Sequence, residues 1–306
     1  MGAGLAASLG ASEKTGIAVV KASNRETGIK EAIKLLDIPP MKGKTVFLKP
    51  NFNTADPFPA STHNDTLSAL VRDIKARGAA GITVGERSGP PPTQDVMEDK
   101  GIPALAKELG FDVLNFEDLP ESEWISVDVP GSHWTEGLYL PKPLLEAEYI
   151  VSTCCLKTHQ YGGVFTMSLK LSVGATPKKL MRGLHRSPDQ RKMIAEINAG
   201  YAPKLIVMDA LEAFVDGGPS SGKKAQADVI VAGTDRVAVD AVGVAILKEL
   251  GSNEAIMTTK IFDQEQIKRA AELGLGVAGP QQVELLASDE TSRQYVAKLR
   301  TILDQG

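Results

Sequence analysis

Short β-branched runs alternate with segments of helical periodicity through most of the 306 residues. That alternation restricts the chain to strand–helix–strand units around a largely parallel sheet. Gly16-Ile17-Ala18-Val19-Val20 reads as a strand, and Glu26 to Leu36 as a helix with Ile29, Ala32, Ile33 and Leu36 on one face. Lys44 to Leu48 is the next strand and ends at Lys49-Pro50-Asn51. A helix from Asp65 to Arg77, capped by Asn64 or Asp65, leads to the strand Gly81 to Glu86. Three prolines (Pro90, Pro91, Pro92) precede a helix near Val96 to Leu109. Tyr149 to Leu156, Lys204 to Asp209 and Asp228 to Ala232 are further strands, and Phe165 to Leu171 reads as a helix. Asp235 caps a helix running to Leu250, and Ile261 to Leu273 is another. The expected fold class is α/β, a mostly parallel sheet with helices on both faces, with room for division into two lobes around a cleft. Residues 1–15 read as a flexible N-terminal tail. Residues 16–306 read as a single α/β domain with a small β-rich insertion near 111–140.

In open α/β sheets, ligands bind beyond the carboxyl ends of the strands. That rule selects Lys49-Pro50-Asn51, Glu86-Arg87-Ser88-Gly89, Lys157-Thr158-His159 and Asp209, each at or just after a strand end. The charge pattern points to the same place. From Lys157 to Lys192 there are eight Lys or Arg and one acid, Asp189, in a chain of formal net charge -4. Such a local reversal of sign attracts an anion, and His159 and His185 within it are groups that move protons near neutral pH or bind a metal. His63, just ahead of a helix N-terminus, has its neutral form favoured there, which suits a general base. His133, in the turn-rich Gly131-Ser132-His133-Trp134, reads as structural or peripheral.

Lys49, Asn51, Lys157, Lys170 and Arg182 are the candidates for holding an anionic ligand or cofactor; His63, His159 and Lys170 are the candidates for chemistry, and His185 for a metal. Lys170 has apolar neighbours, Leu169 and Leu171, which strip hydration from an amine and lower its pKa. It is expected to be the most function-sensitive lysine, with Lys178, in an exposed turn, as its control. Gly217 to Lys223 matches a phosphate-binding loop up to its lysine. It then fails, because Lys224 stands where Ser or Thr must hold magnesium and a strand follows. A mobile Gly-rich lid is the better reading.

The pI near 5.7 and 5% aromatic content argue against a nucleic-acid binder. Cys154 and Cys155 are too few for an all-cysteine cluster and read as buried, inert thiols on a strand. No run approaches the roughly twenty apolar residues of a membrane span. The small apolar segment Met1 to Ser12 resembles the latter half of a twin-arginine export signal. The chain as written is expected in the cytoplasm, or exported if that segment is such a signal.

Taken together, Lys49-Pro50-Asn51, Thr62-His63, Val84-Gly85-Glu86, Leu156-Lys157-Thr158-His159, Thr166 to Lys170, Gly183-Leu184-His185, Asp209-Ala210 and Asp235 to Asp240 resemble the domain-of-unknown-function 362 family. The resemblance covers nearly all of the chain after Gly16. It implies a fold and a site but no settled reaction. Some members append a cysteine-rich ferredoxin-like module, for which this chain has no cysteines. A weaker resemblance, in order and spacing alone, is to the nickel-pincer lactate racemases. It implies His63 and His159 as acid and base, Lys170 as the tether of a nicotinate-derived nucleotide, and His185 as a nickel ligand. The expected cofactor is therefore a transition metal (nickel) or an anionic nucleotide-type group. The expected function is an enzyme of the isomerase or racemase kind, or a metal-dependent one, acting on a small anionic organic molecule. The alternative is a non-catalytic binder of an anionic cofactor, or a redox partner lacking its own iron–sulfur cluster.

Overall fold

The computed structural model describes residues 14–306. Its strands are β1 (Thr15–Lys21), β2 (Thr45–Lys49), β3 (Gly81–Glu86), β4 (Asp112–Asn115), β5 (Trp124–Val127), β6 (Leu138–Pro141), β7 (Tyr149–His159), β8 (Val164–Thr166), β9 (Leu205–Gly217), β10 (Gly222–Gly233) and β11 (Val283–Leu286). The α-helices are α1 (Arg25–Lys34), α2 (Asn64–Ala76), α3 (Thr93–Asp99), α4 (Ile102–Leu109), α5 (Lys142–Leu145), α6 (Ser168–Leu171), α7 (Met181–Arg186), α8 (Gln190–Ile197), α9 (Arg236–Glu249), α10 (Glu254–Thr258), α11 (Glu265–Glu272) and α12 (Glu290–Gln305). The tail read over 1–15 lies outside the described residues except for its last two, and Thr15 already belongs to β1.

One nine-stranded sheet carries the order β11-β1-β10-β9-β7-β2-β3-β4, with β8 added to β7. Its half from β9 to β4 is parallel, whereas β10 runs antiparallel to both β9 and β1. Successive residues of a strand face opposite sides. Accordingly Ile17 and Val19 join one core with α9, α11 and α12, while Ala18 and Val20 join the other with α1, α2, α3 and α4. The same rule separates the cysteines. Cys154 lies in the first core and Cys155 in the second, so the two thiols do not face each other. A third core lies under the small β5–β6 sheet, around Phe116, Leu140 and Ile197. The β-rich stretch 111–140 is thus divided: β4 closes the edge of the main sheet, and β5 and β6 pair separately. Among the described residues, no helix is long and apolar enough to cross a membrane.

Four local expectations are corrected. The helix read over 96–109 is two, because Gly101 takes a left-handed conformation (φ +68°) that ends α3, and Pro103 stands near the start of α4. The helix read over 165–171 begins only at Ser168; Val164–Thr166 instead folds back as β8 onto the overrunning end of β7. The Gly-rich stretch 217–223 is the tight turn of the β9–β10 hairpin. The cap of α2 is His63 itself, whose Nδ1 accepts from Asp65 N at 3.1 Å.

Candidate functional site

Strand β7 is eleven residues long and buried throughout, but β2 pairs with it only as far as Ser152, opposite Lys49. Beyond that register Thr153–His159 overruns the edge where β2 and β3 end, and β8 and β9 pair with its projecting end. This overrun carries Lys157 and His159 past the carboxyl ends of the parallel strands. Lys157 is fully buried, and its amine donates to the carbonyls of Ala60 and Pro219, both neutral. His159 is 7% exposed, and its Nδ1 has no hydrogen-bond partner among the described residues.

After β8 the chain turns into α6, whose free N-terminal amides are taken by Asp240 of α9. Ser168 N donates to Oδ1 at 2.7 Å and Leu169 N to Oδ2 at 3.1 Å. Lys170, two residues on, is 8% exposed, and no carboxylate or carbonyl of the described residues meets its amine. Room for it comes from Gly163. A Cβ there would lie 2.7 Å from Lys170 Cε and 3.2 Å from His159 Nδ1, so the two side chains are neighbours across a position only glycine can fill.

The other wall is saturated with bonds. Lys49 Nζ donates to Glu86 Oε1 at 2.5 Å and to Pro50 O at 2.9 Å. Glu86 also accepts from Phe52 N at 2.8 Å and Arg87 N at 2.9 Å. The Arg87 guanidinium donates to the carbonyls of Thr176, Ser88 and Val173. Gly174 lets these groups approach, since a Cβ on it would collide with the Glu86 carboxylate.

Between the walls lies a cavity of about 50 Å³, lined among others by Asn51, Arg87, Lys157, His159, Thr166 and Lys170. That is room for a few waters or one small polar group. A wider cleft of about 850 Å³ shares His159, Lys170 and Arg87 with it and is also lined by Tyr161, His185 and Gln190. The cleft is of the size that holds small molecules.

Burial sets the protonation states. Burial first, then the charges of Lys170, Lys157 and the neighbouring His185, push His159 down to about 2. Burial, then Lys157 and Arg87, bring Lys170 down to about 7. His185 is lowered by burial and by Lys170 and Arg87. Burial lowers Arg87 to about 10, and it lowers Lys157 as well. An uncharged imidazole therefore faces an amine that is half protonated near neutrality.

The structure brings together Asn51, Lys157, His159 and Lys170 in the small cavity and adds His185 in the cleft, exposed at its rim. Lys49 stands behind Glu86 without lining either space. His63 and Arg182 line neither. His63 packs edge-on against Phe58, at 6.2 Å between ring centroids, beside Arg25 and Asp209, and Arg182 is exposed on α7. His133 bonds Glu196 at 2.6 Å, away from the cleft. Lys178 is not in an exposed turn: it bonds Glu117 at 2.7 Å and Pro91 O at 3.0 Å and lines the cleft, so Lys179 is the proper control. Sequence reasoning missed Gly163, for which the pair Gly162-Gly163 is a signal, and it named Thr166 and Asp240 only within the family segments, without a role for either.

No group of three or more His, Cys, Asp or Glu among the described residues is placed to hold a metal ion. A metal bound by side chains alone does not fit this cleft. Its histidines are His159 and His185, fewer than three such donors, and His185 Nδ1 lies 3.0 Å from the Gln190 amide nitrogen. A nucleotide-sized anionic group fits the cleft by volume and by its cations, with the Lys170 amine free to meet it.

A solved structure of the lactate racemase apoprotein from Thermoanaerobacterium thermosaccharolyticum is similar, with a TM-score of 0.47 and 13% identity over 95% of this chain and 87% of that one. A likeness that distant transfers no reaction. No curated protein sequence matches. The family model described as "Domain of unknown function (DUF362)" matches residues 46–245, a span that contains both walls of the cleft, and the chain belongs to that family.

Proposed function

We propose that the protein is an enzyme of the isomerase class that binds a small organic anion in the cleft and moves a proton between carbon and His159. The observation that carries this reading is the adjacency of two buried bases with no acid to pair them, His159 Nδ1 and Lys170 Nζ, across Gly163. Buried polar groups are almost always satisfied within a fold, so a lone imidazole nitrogen beside a lone amine needs a partner from outside. Arg87, Lys157 and Lys170 outnumber the Glu86 carboxylate on the cavity, which Lys49 and two backbone amides already engage, and so set the sign of that partner. At an effective dielectric of about 20, one ammonium about 4 Å from a carboxylate contributes about 4 kcal/mol of attraction.

Ligand charge and basicity are linked. Burial is the first cause of the low basicity of His159; a bound anion offsets the next, the Lys170 and Lys157 charges, and so raises the imidazole toward a working proton acceptor. Lys170 then faces the negative charge that develops as the proton leaves. His185 and Tyr161 line the outer cleft, with the Tyr161 ring edge-on to His159 at 5.9 Å.

The test is exchange in deuterium oxide, read by proton NMR, over a panel of small 2-hydroxy and 2-oxo carboxylates. At least one is expected to lose a C–H signal next to its carboxyl or carbonyl carbon. His159→Gln should slow that loss by about 10²-fold or more, and Lys179→Ala should not change it. Anions that bind without exchange anywhere in the panel would leave the protein as a non-catalytic binder.

A further inference from the structure

We propose that Lys170 forms an imine with the carbonyl carbon of a small 2-oxo carboxylate held in the cleft, an assignment that rests on the anion-binding reading above. Of the four cations nearest the cavity, three are committed: Lys49 to Glu86, Arg87 to three carbonyls, and Lys157 to Ala60 and Pro219. Of these four, Lys170 is the one whose amine meets no carboxylate or carbonyl of the described residues, and Asp240 fixes the helix turn that carries it. Two further atoms on the same small cavity are buried without partners, His159 Nδ1 and Thr166 Oγ1. Amine, hydroxyl and imidazole nitrogen thus converge on a space big enough for one carboxyl or carbonyl group.

Each free group has a use with a 2-oxo acid. The Thr166 hydroxyl donates to the carboxylate, whose charge Lys157 and Arg87 favour. The Lys170 lone pair attacks the carbonyl carbon while the C=O π electrons move to oxygen. That oxygen takes one proton from the amine and one from solvent and leaves as water, giving a protonated imine. The C–H bond on the adjacent carbon then breaks. Its electron pair forms a C=C bond while the C=N π electrons move to nitrogen, giving the enamine, and its proton goes to His159 Nδ1; the reverse steps return proton and water without any oxidant or reductant. The amine is suited to this because burial and the Lys157 and Arg87 charges bring it down to about 7, whereas an ordinary lysine near 10.4 is neutral only about once in 10³ at pH 7.

The experiment is reductive trapping of the full chain with pyruvate and cyanoborohydride at pH 7, followed by intact mass and peptide mapping. The expected result is a single addition of one pyruvate less one oxygen, on the peptide carrying Lys170, at least ~10-fold faster than on any other lysine. Lys170→Met should remove it, and His159→Gln should keep the trapping while slowing deuterium exchange at the pyruvate methyl group. Addition spread over exposed lysines such as Lys223 and Lys268, with Lys170 unmodified, would overturn the imine. If pyruvate still bound the cleft in that case, shown by broadening of its methyl signal, the anion site would stand without it. An adduct already on Lys170 in the isolated protein would overturn it as well, because the amine would then belong to a cofactor. Wild-type peptide mapping decides the matter even if Lys170→Met does not fold.

Discussion

Two buried lysines, Lys49 behind one wall of the cavity and Lys170 on the other, are treated differently by the fold. Lys49 is held by a carboxylate and a carbonyl, and that carboxylate is itself fixed by two backbone amides. Lys170 is buried nearly as deeply and is given nothing. A paired buried charge fixes geometry, whereas an unpaired one remains uncharged or waits for a partner. The Lys49 wall therefore has its charges matched within the fold, and the Lys170 wall carries the amine that the proposed chemistry uses.

Substitutions sharpen that contrast. The largest effect is expected from Glu86→Gln, which strands the Lys49 ammonium. Breaking a buried pair from one side costs about 3–5 kcal/mol, measurable by urea unfolding, and the double change Lys49→Met with Glu86→Leu should recover most of it. A single change as harmless as the double would make the pair unimportant. Lys170→Met should do the reverse and stabilise the protein at pH 7. The Lys170 amine is at about 7 when folded and near 10.5 when unfolded, so below pH 7 the whole cost of charging it in place is felt. That cost falls as pH rises from 7 to 10.5 and vanishes above. The gain should be on the order of a few kcal/mol at pH 7 and shrink toward pH 10.5; a loss of stability would mean that the amine has a structural partner.

His159 comes next. Its imidazole is at about 2 when folded and 6.5 when unfolded, so stability drains as pH falls below 6.5. His159→Gln should flatten that loss by about 1–2 kcal/mol at pH 5, read from unfolding curves at pH 7 and 5. The smallest effect is expected from Lys179→Ala. Its partner Glu121 is exposed, and no change in melting temperature or ligand binding should be seen.

Much of this was legible in the chain. Strand–helix alternation gave the parallel half of the sheet, and the strand-end rule selected Lys49, Glu86-Arg87 and Lys157-Thr158-His159, which meet on one edge. The acid-poor run from Lys157 to Lys192 marked the segment that holds Lys170 and His185. What stayed hidden depends on register and long-range packing. The overrun of β7 is fixed by β8, a strand of three residues whose apolar run Val164-Phe165-Thr166-Met167 also suits a helix. His63 and Arg182 line neither the cavity nor the cleft: His63, at the start of α2, packs edge-on against Phe58, and Arg182 is exposed on α7. Lys49 against Lys170, paired against unpaired, depends on where Glu86 points, and no spacing encodes that.

The most direct measurement is the titration of Lys170 itself, followed by NMR on protein carrying ¹³Cε-labelled lysine. One resonance is expected to move with a midpoint near 7, to be absent in Lys170→Met, and to shift upward when a small carboxylate is bound. If every lysine titrated near its ordinary value, with the Lys170 signal among them, the amine would be solvated or paired, and the cleft would lack the free base on which its proposed chemistry depends.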